Sequence, residues 1–187
     1  TGAVADKKGI FEECDGGTVF FDEIANLTDE TQSKILRVLQ EKEIQPLGSN
    51  QIKKVDVRIL AATNIDLMAQ VKSGAFREDL YYRLNIINIH LPPLRERKED
   101  IPQLAESFLK RFTRENKKPV RAMSPAFLRQ LMDYSWPGNI RELQNAMLRA
   151  VLLSGGEVLE PEALPPEILS AGAPRPLDGG FNEKVDA

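Results

Sequence analysis

The chain has 187 residues, 42% of them apolar, and a formal charge of −3 at neutral pH. That is one domain of ordinary size, or one with a small satellite, and the charge gives no global sign of nucleic-acid binding. A single cysteine, Cys14, excludes an internal disulfide and fits a reducing compartment such as the cytoplasm, and no apolar run nears the roughly 18 residues that cross a bilayer.

The chain opens without Met at Thr1-Gly2-Ala3, which reads as the start of a fragment. Gly16-Gly17 is a turn signal, and Thr18-Val19-Phe20-Phe21 then runs straight into Asp22 and Glu23. A buried parallel strand has this pattern when it ends at a sheet edge, where ligands of open α/β sheets sit. An Asp-Glu pair there suits a Mg2+-nucleotide. Asp22 offers hard oxygen to the metal or its water shell, and Glu23 can orient and deprotonate an attacking water. A plain strand followed by an acidic helix start has the same pattern.

Thr28 is placed to cap the next helix, with Asp29 and Glu30 at the positive end of its dipole and Ile35, Leu36 and Leu39 as its apolar stripe. Ile44 to Lys54 holds Pro46, Gly48, Ser49 and Asn50, and reads as an exposed hairpin or loop. Val55 to Ala62 predicts a second strand ending at Thr63-Asn64. A short helix follows, capped by Asp66 and stopped by Gly74. Ile87, Ile89 and Leu91 alternate with Asn88 and His90 and predict a third strand. Alternating strands and helices mean a mainly parallel sheet.

Beyond Leu91-Pro92-Pro93-Leu94 the pattern is helical. One helix carries Ile101, Leu104, Ala105, Phe108 and Phe112. A second opens at Ser124-Pro125. A third follows Trp136-Pro137-Gly138, with Asn139 as its expected cap and Glu142 as the capping-box partner. From about Ser170 the composition turns to Ala, Gly, Pro and Asp, a linker. The expected organisation is an α/β layer over 1–93, a helical domain over 94–169 and a linker over 170–187.

Several of these segments together resemble the AAA+ ATPase domain of bacterial enhancer-binding activators, which act on sigma-54 RNA polymerase. Thr1-Gly2-Ala3 is similar to the second half of the family's Gly-Ala-Phe-Thr-Gly-Ala loop, which touches sigma-54. Gly16 to Glu23 resembles its Walker B strand, and Ala61-Ala62-Thr63-Asn64 its sensor I. Phe76 to Leu84 resembles its arginine-finger helix, Leu91 to Arg97 its hinge, and Trp136 to Leu143 its sensor II.

The resemblance implies an AAA+ P-loop NTPase-type parallel sheet with helices on both faces, followed by a small all-helical lid subdomain. It also implies ATP and Mg2+ as ligands, with Asp22 at the metal and Glu23 at the attacking water. Asn64 would lie near the γ-phosphate, although a strand-end turn residue would also be Asn. Arg77 and Arg83 become candidate fingers reaching the neighbouring subunit's nucleotide. They lie about 240° apart on a helix, and pairing with Glu78 or Asp79 is the alternative. Arg141, in a first turn that disfavours Arg, would sense phosphate from the lid. The implied partners are sigma-54 RNA polymerase, a homo-oligomer (a hexamer in this family), and DNA through a helix-turn-helix beyond the linker. No membrane is implied.

No Gly-x-x-x-x-Gly-Lys-Ser/Thr loop occurs in the 187 residues. The backbone cradle for phosphates is therefore absent from this stretch, and the stretch alone is expected to bind ATP poorly and to be inactive. An AAA+ motor with another protein client, and a non-hydrolysing regulatory scaffold, are the competing readings.

Overall fold

The structure is a computed structural model that describes residues 8–46 and 50–171. The Thr1-Gly2-Ala3 segment and nearly all of the expected linker lie outside the described residues. The chain divides into two compact units, one ending at Ile89 and the other beginning at His90.

In the first unit, a one-turn helix α1 (Ile10–Glu13) precedes strand β1 (Thr18–Phe21). Helix α2 (Asp29–Glu41) follows. Thr28 caps α2 as its sequence predicts, its hydroxyl accepting from the Thr31 N–H. The expected hairpin forms from β2 (Glu43–Ile44) and β3 (Lys53–Lys54), antiparallel, with Glu43 opposite Lys54. Strand β4 (Arg58–Ala61) then pairs in parallel with β1, Thr18 opposite Arg58 and Phe21 opposite Ala61. Helix α3 (Leu67–Ser73) is capped by the Asp66 carboxylate and ends at Gly74, whose φ of +79° suits only glycine without strain. Helix α4 (Glu78–Leu84) completes the unit.

The β1–β4 pair buries one face. Val19 lies there, and Phe21 and Ile59 pack with Ile24 from the turn after β1, Ile35 and Leu36 from α2, Phe76 just before α4 and Leu80 within it. The opposite face, carrying Phe20 and Leu60, is exposed among the described residues.

The third strand does not form. Residues 87–91 have no ladder partner among the described residues, and Ile87 and Leu91 are about four-fifths exposed. Period-2 alternation marks a chain able to pair. A strand also needs a partner, and residues 87–91 join neither open edge of the β1–β4 pair, which pairs only with itself among the described residues. His90 is accordingly exposed and not on a strand.

The second unit is helical: α5 (Ile101–Glu115), α6 (Pro125–Asp133), α7 (Asn139–Leu153) and α8 (Pro166–Ala171). Two-residue parallel strands, β5 (Ala122–Met123) and β6 (Val158–Leu159), tie the loop before α6 to the chain after α7. Its core runs through Leu94, Ile101, Phe112, Phe127, Trp136 and Leu143. Ser124 caps α6 by accepting from the Phe127 N–H.

The cap of α7 differs from expectation. Asn139 has φ +51°, and Gly138 occupies the cap position. Glu142 reaches back to the Gly138 N–H at 2.7 Å, a capping box shifted one residue upstream. The Asn139 amide oxygen is released from capping and accepts instead from the Leu94 N–H at 2.8 Å.

Candidate nucleotide site at the strand ends

Parallel pairing in register brings the carboxyl ends of β1 and β4 side by side. The Ala62 N–H donates to the Phe21 carbonyl at 2.8 Å, and the Ile24 N–H donates to the Ala62 carbonyl at 3.0 Å. Asp22 and Glu23 therefore leave β1 beside the Ala62-Thr63-Asn64 turn that leaves β4. All three candidate side chains, Asp22, Glu23 and Asn64, are exposed there.

The local backbone presents them. Asp22 accepts from the Glu23 N–H at 3.0 Å. Glu23 adopts the left-handed conformation, φ +52° and ψ +46°, uncommon for a residue with a Cβ and a feature that clusters at functional sites. This reversal drops Ile24 into the core, fully buried, and leaves the Glu23 carboxylate in solvent. The Asn26 amide donates to that carboxylate at 3.0 Å. Asn26 carries no motif, and its contact appears only once the turn after β1 brings positions three apart together. On the β4 side, Thr63 accepts from the Ile65 N–H and closes the turn that exposes Asn64.

The two arginines of the α4 segment differ. Arg77 stands at the cap of α4, half-buried, and forms a two-pronged pair with Asp79 at 3.0 and 2.7 Å. It also donates to the Ser33 hydroxyl at 3.3 Å. The bond to Asp79 raises the Arg77 pKa above its ordinary value, and the same bond lowers that of Asp79. Arg83 is exposed in the last turn and has no hydrogen bond or ion pair among the described residues. The pairing alternative thus describes Arg77, whereas Arg83 pairs with none of the described residues.

Arg141 lies in the second unit, exposed, as the third residue of α7. Beside it Glu142 also accepts from the Tyr134 hydroxyl at 3.0 Å. Burial first, and then this bond to an anion, raises the Tyr134 pKa. Among the described residues no cluster of three or more His, Cys, Asp or Glu could hold a metal, and no helix is long and apolar enough to cross a membrane.

The Sigma-54 interaction domain profile matches residues 1–90, and the AAA+ ATPase lid domain profile matches residues 95–178. The chain is 51% identical over 174 residues to the transcriptional regulatory protein ZraR of Escherichia coli K12, covering 93% of this chain and 40% of ZraR. It is 51% identical over 168 residues to the nitrogen fixation protein AnfA of Azotobacter vinelandii, 90% of this chain and 32% of AnfA. The structure superposes on NtrX from Brucella abortus in complex with ADP with a TM-score of 0.84 at 37% identity, covering 96% of this chain and 42% of that one. The chain therefore spans less than half the length of each of these relatives.

Proposed function

Because the chain belongs to the sigma-54 interaction domain family and carries that family's AAA+ ATPase lid, we propose that it is the motor of a sigma-54-dependent transcriptional activator. In the full-length protein, ATP hydrolysis in a ring of identical subunits, a hexamer, remodels the sigma-54 RNA polymerase closed complex so that the promoter opens. The observation that carries this reading is the exposed Asp22-Glu23 pair at the end of β1, beside Asn64 at the end of β4.

Bound Mg2+-ATP supplies the transferable γ-phosphoryl group. The donor set fits such a metal, which takes one or two carboxylates and fills its shell with water and phosphate oxygens, so Asp22 needs no three-residue cluster around it. Glu23 polarises the attacking water, and its strained turn holds the carboxylate out where water and phosphate meet. Asn64 helps place that water. Arg83, unpaired at the end of α4, is the better candidate for a finger reaching the neighbouring subunit's γ-phosphate. Arg77 supports it, held by Asp79 and Ser33. Arg141 senses phosphate from the lid. The Thr1-Gly2-Ala3 segment contacts sigma-54, and the β2–β3 hairpin moves with it. Coupling requires the ATP and ADP states to favour different conformations of that loop. DNA is engaged by a helix-turn-helix domain outside this sequence, and the protein works in the cytoplasm. The 187-residue stretch alone, without a phosphate cradle, turns over no ATP.

The test is capture of sigma-54 by the full-length protein in the presence of ADP and aluminium fluoride, a mimic of the hydrolytic transition state. Capture that requires the mimic and disappears when Thr1 is replaced by Ala supports the reading. A motor with another client would bind no sigma-54 under any nucleotide condition.

A further inference from the structure

Gln32 is the buried polar side chain of the described core, 1% exposed, on the apolar face of α2 one turn before Ile35 and Leu36. Its amide nitrogen donates to the Leu27 carbonyl at 2.9 Å and to the Ala75 carbonyl at 3.2 Å. Its amide oxygen accepts from the Arg77 N–H at 2.9 Å. Both donors and the acceptor are used, as a buried amide requires. The partners are two backbone segments far apart in sequence. Leu27 closes the turn that begins at Glu23, its own N–H donating to the Ile24 carbonyl. Ala75 and Arg77 flank Phe76 just before α4.

An apolar residue of the same size would fill this space but would leave the Leu27 and Ala75 carbonyls and the Arg77 N–H without this partner, so it is backbone pairing, not packing, that calls for Gln. What the amide adds is direction: it fixes where the backbone enters α4. Neighbouring residues of α2 grip the same point, Ser33 at 3.3 Å and Asp29 at 3.9 Å from the Arg77 guanidinium. Arg83 lies six residues further along a short rigid helix, so its position follows from that entry.

We propose that Gln32 is a positioning residue for the arginine finger, one buried amide setting the start of α4 against the turn that carries Glu23. This rests on the reading of Arg83 as a finger acting on the neighbouring subunit. It predicts an asymmetry that a purely structural residue does not produce. Each active site takes Glu23 from one subunit and Arg83 from the next, so a Gln32 defect belongs to the subunit that lends the finger.

The experiment mixes variants of the full-length protein before ring assembly and measures ATP turnover. Gln32→Met keeps the volume and removes all three bonds. Gln32→Glu keeps the size and the acceptor, serves if the Met variant fails to fold, and is checked alongside it by circular dichroism. Alone, each lowers turnover on the order of tenfold or more, because a small misplacement of a charged group at the reacting centre is costly. Mixed with Glu23→Gln, itself inactive, a Gln32 variant regains turnover, since its intact Glu23 now meets a well-placed finger. Mixed with Arg83→Ala it does not. The reverse pattern, wild-type turnover by both variants, or failure of both to fold would overturn the proposal. Mixing Glu23→Gln with Arg83→Ala separates the two levels. If that control fails to regain turnover, the finger reading itself falls; if it succeeds and the Gln32 mixture does not, the role of Gln32 alone falls.

Discussion

Arg77 and Arg83 sit six residues apart, yet their surroundings give them different work. Arg77 is committed to Asp79 and Ser33, so Arg77→Ala removes a paired cation at the entry to α4 and lowers the melting temperature as well as turnover. Arg83 has no partner to lose among the described residues. Arg83→Ala is expected to cut turnover by roughly 10³-fold or more while ATP affinity, read by fluorescent-nucleotide titration, stays within a few-fold. Equal loss of binding would contradict the finger role. A second residue-scale prediction concerns Tyr134. Its pKa lies above the ordinary value of about 10, so its bond to Glu142 is fully present below that pH and is lost as pH rises through the raised value. Thermal stability should fall more steeply above pH ~10 in the wild type than in Tyr134→Phe; identical slopes would exclude this contact. Gly138 is a third such position, because a Cβ there would lie 2.8 Å from the Glu142 Cβ. Gly138→Ala should destabilise by about 1–3 kcal/mol in urea unfolding.

Among the elements, those with strong local signals are legible in the sequence itself. The caps Thr28, Asp66 and Ser124 and the stop at Gly74 all sit where side-chain chemistry puts them. The strand ending at Asp22 was legible because an apolar run abutting two carboxylates leaves few alternatives. What failed depended on distant partners. The alternation at Ile87, Ile89 and Leu91 says only that a strand can form, and in the described chain it joins neither open edge of the β1–β4 pair. Asn139 looked like a cap because Asn favours that position; the left-handed turn moved the cap to Gly138 and turned Asn139 toward Leu94. Gln32 did leave a signal, a polar residue in register with Ile35, Leu36 and Leu39 on one helical face, but its partners at Ala75 and Arg77 lie more than 40 residues away. The roles proposed for Asn64 and Arg141 came from resemblance, not from local chemistry. The packing of α7 yields its own test. Trp136 is the only tryptophan, fully buried beside Leu143 in the core of the second unit. Leu143→Ala should lower the stability reported by its fluorescence by about 2–5 kcal/mol, and an unchanged urea midpoint would contradict that core.

For the whole molecule, the division of labour between subunits is the central claim. On the proposed reading, a catalytic carboxylate on one chain and a finger on the next would make hydrolysis a property of the assembly, so no isolated subunit should turn over ATP. The most direct measurement is ATP turnover by the full-length protein as a function of its concentration, with Glu23→Gln beside it. The account predicts specific activity that rises cooperatively with concentration and vanishes in the variant. Activity that is independent of concentration, or that survives Glu23→Gln, would contradict it.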